Sequence, residues 1–282
     1  MNFLDTVVNL TISLFAITPV VYVIVGIYYW RLKPAKSISY FSLLMFAFAL
    51  YSFGYFLEIN SKSPDSAFFL RNFEYLGTSF VPPFFILFIV QTTKAFHIKA
   101  KFAAALFSVS FAIWMLYATN PVTGLFYKSI RFSVGRYGGE ILTVKNIGYY
   151  LLLLYFTVIL VISSVILFKA VQTAKTKNSR NRFRFLFYTF QISWLTVIFI
   201  LSGFDKYVDP TPLTIMIICG MFSGNAVYND MFERNLIRWD KNYAGIQNPA
   251  ILVDADGAVV SSNTAAKEFI GELNKTFEDI IP

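Results

Sequence analysis

Charge is absent from seven long stretches of this chain: residues 6–30, 37–57, 75–93, 102–127, 146–168, 185–204 and 210–229. Each approaches or exceeds the ~20 residues a helix needs to cross a bilayer, the fourth having its apolar part end near Ala118. In lipid every backbone N–H and C=O must be satisfied within the segment, so such continuous runs are predicted to be helices. Seven crossings place the two termini on opposite sides. The first run is not a cleavable leader: Met1–Asp5 carries no basic residue, and 25 uncharged residues exceed the ~7–15 of a signal core.

The polar links set the orientation. The links after runs one, three and five hold 12 basic residues: Arg31, Lys33, Lys36, Lys94, Lys99, Lys101, Lys169, Lys175, Lys177, Arg180, Arg182 and Arg184. The other side carries seven, so the positive-inside rule predicts an outer N-terminus and a cytoplasmic C-terminus. The longest link, 119–145, is on the outer side by this reading. In it Leu125–Val134 and Glu140–Val144 are β-prone and are separated by the turn-forming stretch Gly135-Arg136-Tyr137-Gly138-Gly139. A hairpin over the outer mouth of the bundle is the expectation.

Beyond Asn229 no helix breaker interrupts the chain until Gly245. Phe232, Leu236, Trp239, Tyr243 and Ile246 are spaced as the apolar seam of a two-stranded coiled coil. The segment after it reads strand, Asp254-Ala255-Asp256-Gly257 turn, strand, and Asn263 as a helix cap. The predicted architecture is an all-α, seven-transmembrane bundle over 1–229, a helical linker over 230–247 and a partial soluble segment over 248–282.

Composition narrows the function classes. The chain is 56% hydrophobic and 14% charged, where soluble domains carry ~25% charged residues. Residues 1–242 hold 22 Lys/Arg against 10 Asp/Glu, and 243–282 hold 2 against 6. In a membrane chain such a basic excess points to loop orientation and anionic lipid, not nucleic acid. Cys219, the single cysteine, lies in an apolar run and reads as a packing residue. There is no phosphate-binding glycine loop, no paired Cys/His metal spacing and no nucleophile motif. Helix 7 has no lysine for a Schiff base, and the lone His97 sits in a short basic loop. No cofactor, metal or catalytic role is expected of these residues.

Candidate ligand contacts cluster near the outer ends. Glu74 opens the third run two turns before Pro82-Pro83, a pair that removes two backbone donors and is expected to kink the helix. Glu74 either snorkels toward Arg71, one turn away, or lines an outward pocket. Asn120 is a second polar candidate, with Trp114, Tyr117, Tyr149 and Tyr150 as aromatic walls. For the tyrosines the alternative is the interfacial aromatic belt. Gly220 and Gly224 permit close helix approach, within the bundle or between subunits.

The ordered set Phe73-Glu74-Tyr75, Pro82-Pro83, Thr119-Asn120-Pro121, Leu125-Phe126-Tyr127 and a basic link five-to-six resembles the N-terminal seven-transmembrane sensor region of bacterial histidine kinases and related receptors, over roughly residues 5–245. The segment from Asn248 to Ala266 is similar to the opening of a PAS domain. The resemblance implies an inner-membrane sensory receptor, with a small extracytoplasmic or membrane-borne ligand, lipid contacts and a homodimer through helix 7 and the linker. It also implies a catalytic output module further along, none being encoded within this chain. A secondary transporter is the alternative from a different class. Against it, seven helices do not divide into inverted halves, and few charges fall mid-membrane.

Overall fold

The computed structural model describes residues 3–31, 36–135, 138–175, 177–203, 211–228, 247–253 and 259–272. Helix α1 covers Phe3–Arg31, α2 Lys36–Ile59, α3 Pro64–Thr93 and α4 Ala100–Ala118. After a single turn, α5 (Asn120–Thr123), come strands β1 (Tyr127–Gly135) and β2 (Gly138–Lys145), then α6 (Ile147–Thr173). Helices α7 (Lys177–Gln191) and α8 (Ser193–Ser202) follow, then α9 (Thr211–Tyr228). The chain is mostly helical, and five spans among the described residues are long and apolar enough to cross a membrane: Ser39–Ile59, Pro64–Thr93, Ala100–Ala118, Ile147–Thr173 and Ser179–Ser202. Helices α1 and α9 lie on the first and last uncharged runs. This is a membrane protein.

Helix α3 is the centre. Its apolar window is 72% buried, against 17% for α4 and 28% for α6, and it packs on α2, α4 and α6. It also starts well before the uncharged run that announces it. Ser63 caps it, its hydroxyl accepting the Ser66 N–H at 3.3 Å, with Pro64 in the first turn. The helix therefore carries Asp65, Arg71 and Glu74 inside its first three turns. It runs as one α-helix through Pro82 and Pro83, both buried in the bundle.

Two glycines fix how α2 meets α3. A Cβ on Gly54 would lie 2.5 Å from the Glu74 backbone nitrogen, and one on Gly77 would lie 2.6 Å from the Ala47 carbonyl oxygen. Backbone meets backbone at both levels, the small-residue route to helix association in lipid. Below the proline pair, Phe41, Phe85, Phe88, Phe190 and Phe222 pack ring against ring, tying α2, α3, α7 and α9 together. Phe85 meets Phe190 edge-on at 4.0 Å. Ile86, Leu87, Phe88, Ile89 and Val90 are all at most 1% exposed, so this is the densest part of the core.

The predicted hairpin is present. Strands β1 and β2 pair antiparallel from Ser129↔Val144 to Gly135↔Gly138, with an irregularity beside Lys128. The sixth uncharged run forms a helix interrupted at Ile192 without a proline, and Gln191 Nε2 donates to Ser164 Oγ on α6 at 3.2 Å. A Cβ on Gly220 would meet nothing within 4 Å, so this glycine makes no close approach to another helix among the described residues. Composition alone does not distinguish a glycine used within the bundle from one facing outward. The surroundings of Gly224 and the whole seam Phe232, Leu236, Trp239, Tyr243 and Ile246 lie outside the described residues.

In the C-terminal segment, β3 (Ile251–Val253) and β4 (Val259–Ser262) form an antiparallel pair before α10 (Thr264–Glu272). Asn263 Oδ1 accepts from the Ala266 N–H at 2.8 Å and the Ala250 N–H at 3.0 Å. The two strands and the capped helix expected from the sequence therefore form locally, and the Asp254–Gly257 turn lies outside the described residues.

Gly54→Ala and Gly77→Ala should each push α2 from α3 and destabilise the protein by about 1–3 kcal/mol. Gly220→Ala should leave the unfolding temperature unchanged or slightly raised. Thermal unfolding in one detergent checks all three.

Candidate functional site

The α2–α3 contact at Gly54 decides what lies at the hairpin end. With Gly54 against Glu74, one turn further along α2 and one turn back along α3 bring Glu58 beside Arg71. Arg71 Nε and Glu58 Oε2 are 3.6 Å apart, the Glu58 side chain being buried and the Arg71 side chain 14% exposed. The sequence offers Glu74 as the arginine's partner. An ion pair also crosses between helices to Glu58, because α2 and α3 approach so closely. Glu74 is 6% exposed and adds its charge to the field on the guanidinium. Arg71 Nη1 also donates to the Ile141 carbonyl of β2 at 3.4 Å, so one side chain joins α2, α3 and the hairpin.

An aromatic cage surrounds this guanidinium. Arg71 lies 5.9 Å from the Tyr75 ring centroid and 5.7 Å from that of Tyr127, within cation–π range. Tyr75 stacks on Tyr117 at 4.0 Å and 17°, and Phe126 meets both edge-on at 5.1 and 5.3 Å. The Tyr75 and Tyr127 hydroxyls hydrogen-bond. Tyr149, beneath Lys145 Nζ at 4.6 Å, closes the cage against Tyr127. All these rings are buried or half-buried.

The loop into the hairpin is tied down through its main chain. Asn120 Oδ1 accepts the N–H groups of Phe126 at 2.7 Å and Tyr127 at 2.8 Å. Gly124 turns with φ 61°, a conformation that favours glycine, and its carbonyl accepts from Asn146 Nδ2 at 2.8 Å. At the start of α6, Gly148 donates to the Leu125 carbonyl at 2.9 Å. A Cβ there would be 2.9 Å from the Phe126 ring. Asn120 thus holds Phe126 and Tyr127 in the cage.

Of the sequence candidates, Glu74, Tyr117, Asn120 and Tyr149 belong to this cluster, and Trp114 packs on its edge. The buried Trp114 Nε1 has no hydrogen-bond partner among the described residues. Tyr150 is 54% exposed, its ring edge-on to Tyr149 at 6.0 Å. Sequence reasoning missed Glu58, Tyr75, Phe126 and Tyr127 as members. Glu58 had a legible signal: it is the only acid between Asp5 and Asp65, and it ends an apolar run facing a helix that begins Ser-Pro-Asp. Among the described residues no group of three or more His, Cys, Asp and Glu could hold a metal ion.

A family model, the N-terminal 7TM region of histidine kinase, matches residues 14–234. The chain belongs to this family. The match covers the bundle, the hairpin and the cage, and ends inside the linker. No curated protein and no solved structure matches the chain. Within a histidine-kinase sensor region, the cage joins the membrane helices to the hairpin above them.

Removing one partner of a buried ion pair costs about 3–5 kcal/mol. Arg71→Met should therefore destabilise the protein by that amount, and Arg71→Met with Glu58→Gln should cost less than Arg71→Met alone. A double-mutant thermal cycle reads this. Asn120→Ala leaves two buried amides unpaired, at about 1–3 kcal/mol each, whereas Asn120→Asp keeps the acceptor and most of the stability. Urea or thermal unfolding of the two variants separates them.

Proposed function

We propose that this chain is the sensing half of an inner-membrane receptor that crosses the bilayer seven times. Its N-terminus and hairpin lie outside the cytoplasm. The orientation rests on the basic links and on the acids: Asp5, Glu58, Asp65, Glu74 and Glu140 are the only ones before Asp205, and all fall at the hairpin end. The observation that carries the reading is the buried group Glu58, Arg71 and Glu74 beneath the hairpin. Ionisable groups at membrane depth are costly and are kept where they serve a site. A small extracytoplasmic or membrane-borne ligand with a hydrogen-bond acceptor would satisfy Trp114 Nε1 and alter the balance among the three charges. Tyr117, Tyr149 and Asn120 would bound it, and Tyr150 would stand at its rim.

A ligand acts only through its different affinity for two arrangements. The route runs along α3, from Arg71 and Glu74 to Phe85 and Phe88, across to Phe190 and Phe222, and so to α9. From there the linker seam would carry the change to a PAS-like segment and an output module. The open side of Gly220 suits a second copy, giving a homodimer through α9 and the linker.

Small molecules that raise the unfolding temperature of the purified chain provide the test. Bound hits should weaken about tenfold with Glu74→Gln and severalfold with Trp114→Phe, which keeps the ring and loses the N–H. They should also change amide hydrogen exchange in α9. A hit indifferent to both variants, or one that leaves α9 unchanged, would remove the cage as sensor.

A further inference from the structure

At the end of α3 opposite the cage there is a cleft of about 290 Å³ lined by Tyr40, Val90, Gln91, Lys94, Phe96, His97 and Ile98. We infer that this cleft is a binding site for the phosphate of a membrane phospholipid, formed by Lys94, His97, Gln91 and Tyr40.

Its lining is divided in character. Val90, Phe96 and Ile98 form an apolar side, and Phe96, 47% exposed, leans edge-on against Phe102 at 5.7 Å. Lys94 and His97 offer cationic or donor groups, Gln91 an amide and Tyr40 a hydroxyl, all donors available to phosphate oxygens. A cleft that is apolar on one flank and donor-rich on the other, at the end of a spanning helix, fits a headgroup joined to an acyl chain better than a freely dissolved anion.

The backbone at Lys94 is the second observation. Lys94 is the one non-glycine with positive φ among the described residues, at φ 52° and ψ 33°. It ends α3 in the left-handed conformation that glycine or asparagine usually supplies. Strained positions of this kind cluster at ligand clamps, and here the strain accompanies an ammonium at a cleft. The links that flank it in sequence carry no acid: there is none between Glu74 and Glu140, and none between Asp5 and Glu58. The carboxylates of α2 and α3 are all at the far ends of those helices. The site is separate from the cage, so its failure would leave the sensor reading intact.

The purified full chain is placed in nanodiscs of mixed phosphatidylglycerol and phosphatidylcholine, and the lipids it retains are counted by native mass spectrometry. One retained phosphatidylglycerol is expected, with affinity falling roughly five- to tenfold in Lys94→Gln/His97→Gln. Lys169→Gln/Lys175→Gln makes a like removal of basic groups in another link on the same side and should retain it. Equal loss in both double variants would mean diffuse attraction to basic loops and would overturn the proposal, as would no retention by the parent. Inorganic phosphate is the other arm. If it stabilises the parent in detergent but not Lys94→Gln/His97→Gln, while neither protein retains phosphatidylglycerol, the phosphate chemistry holds and the lipid source is overturned. Circular dichroism confirms that the variants, altered only at exposed positions, are folded.

Discussion

Taking a guanidinium out of water at the end of a helix bundle is the constraint to which the rest of this structure answers. The charge is tolerable only if a carboxylate is close and the remaining donors find acceptors. Glu58 comes from the neighbouring helix, the Ile141 carbonyl from the hairpin, and two tyrosine faces complete the shell. Each demand has a structural consequence. Glu58 can reach Arg71 because Gly54 and Gly77 let α2 lie backbone-to-backbone on α3. The Ile141 carbonyl is in place because the loop before it is anchored by Asn120 and Asn146. A charge that would otherwise oppose folding thus specifies how three elements meet.

The opposite half of the bundle follows another rule. There, side chains from Ile86 to Val90 are almost wholly inaccessible and the phenylalanines interlock across four helices. Close packing of this kind transmits displacement, because a tightly filled core has few intermediate arrangements. Helix α3 belongs to both halves. It is polar and caged at its start, and apolar and enclosed at its end.

The helical positions were legible because lipid excludes charge, and the gaps between charged residues follow the apolar helices. The uncharged run marks only part of α3, which begins at Pro64, before Arg71 and Glu74. The signal for the true start was chemical: Ser63-Pro64-Asp65-Ser66 is a cap followed by a first-turn proline. The hairpin was readable from alternation and glycine. Asn120 was readable as important but not for its use here, since its two backbone partners are six and seven residues on. That Glu58 reaches Arg71 depends on the closeness of two helices, which periodicity does not encode. The interruption at Ile192 has no proline to announce it, and no residue pattern there explains it.

Apart from the Tyr127 ring, which enters the cage, the hairpin and the loop before it meet the rest of the protein largely through peptide groups. Asn120 grips two backbone amides, Asn146 and Gly148 bind carbonyls, and Arg71 takes a carbonyl of β2. Attachments of this sort do not read side-chain identity. The outward strand positions can therefore exchange residues freely while the hairpin keeps its seat on the helices below.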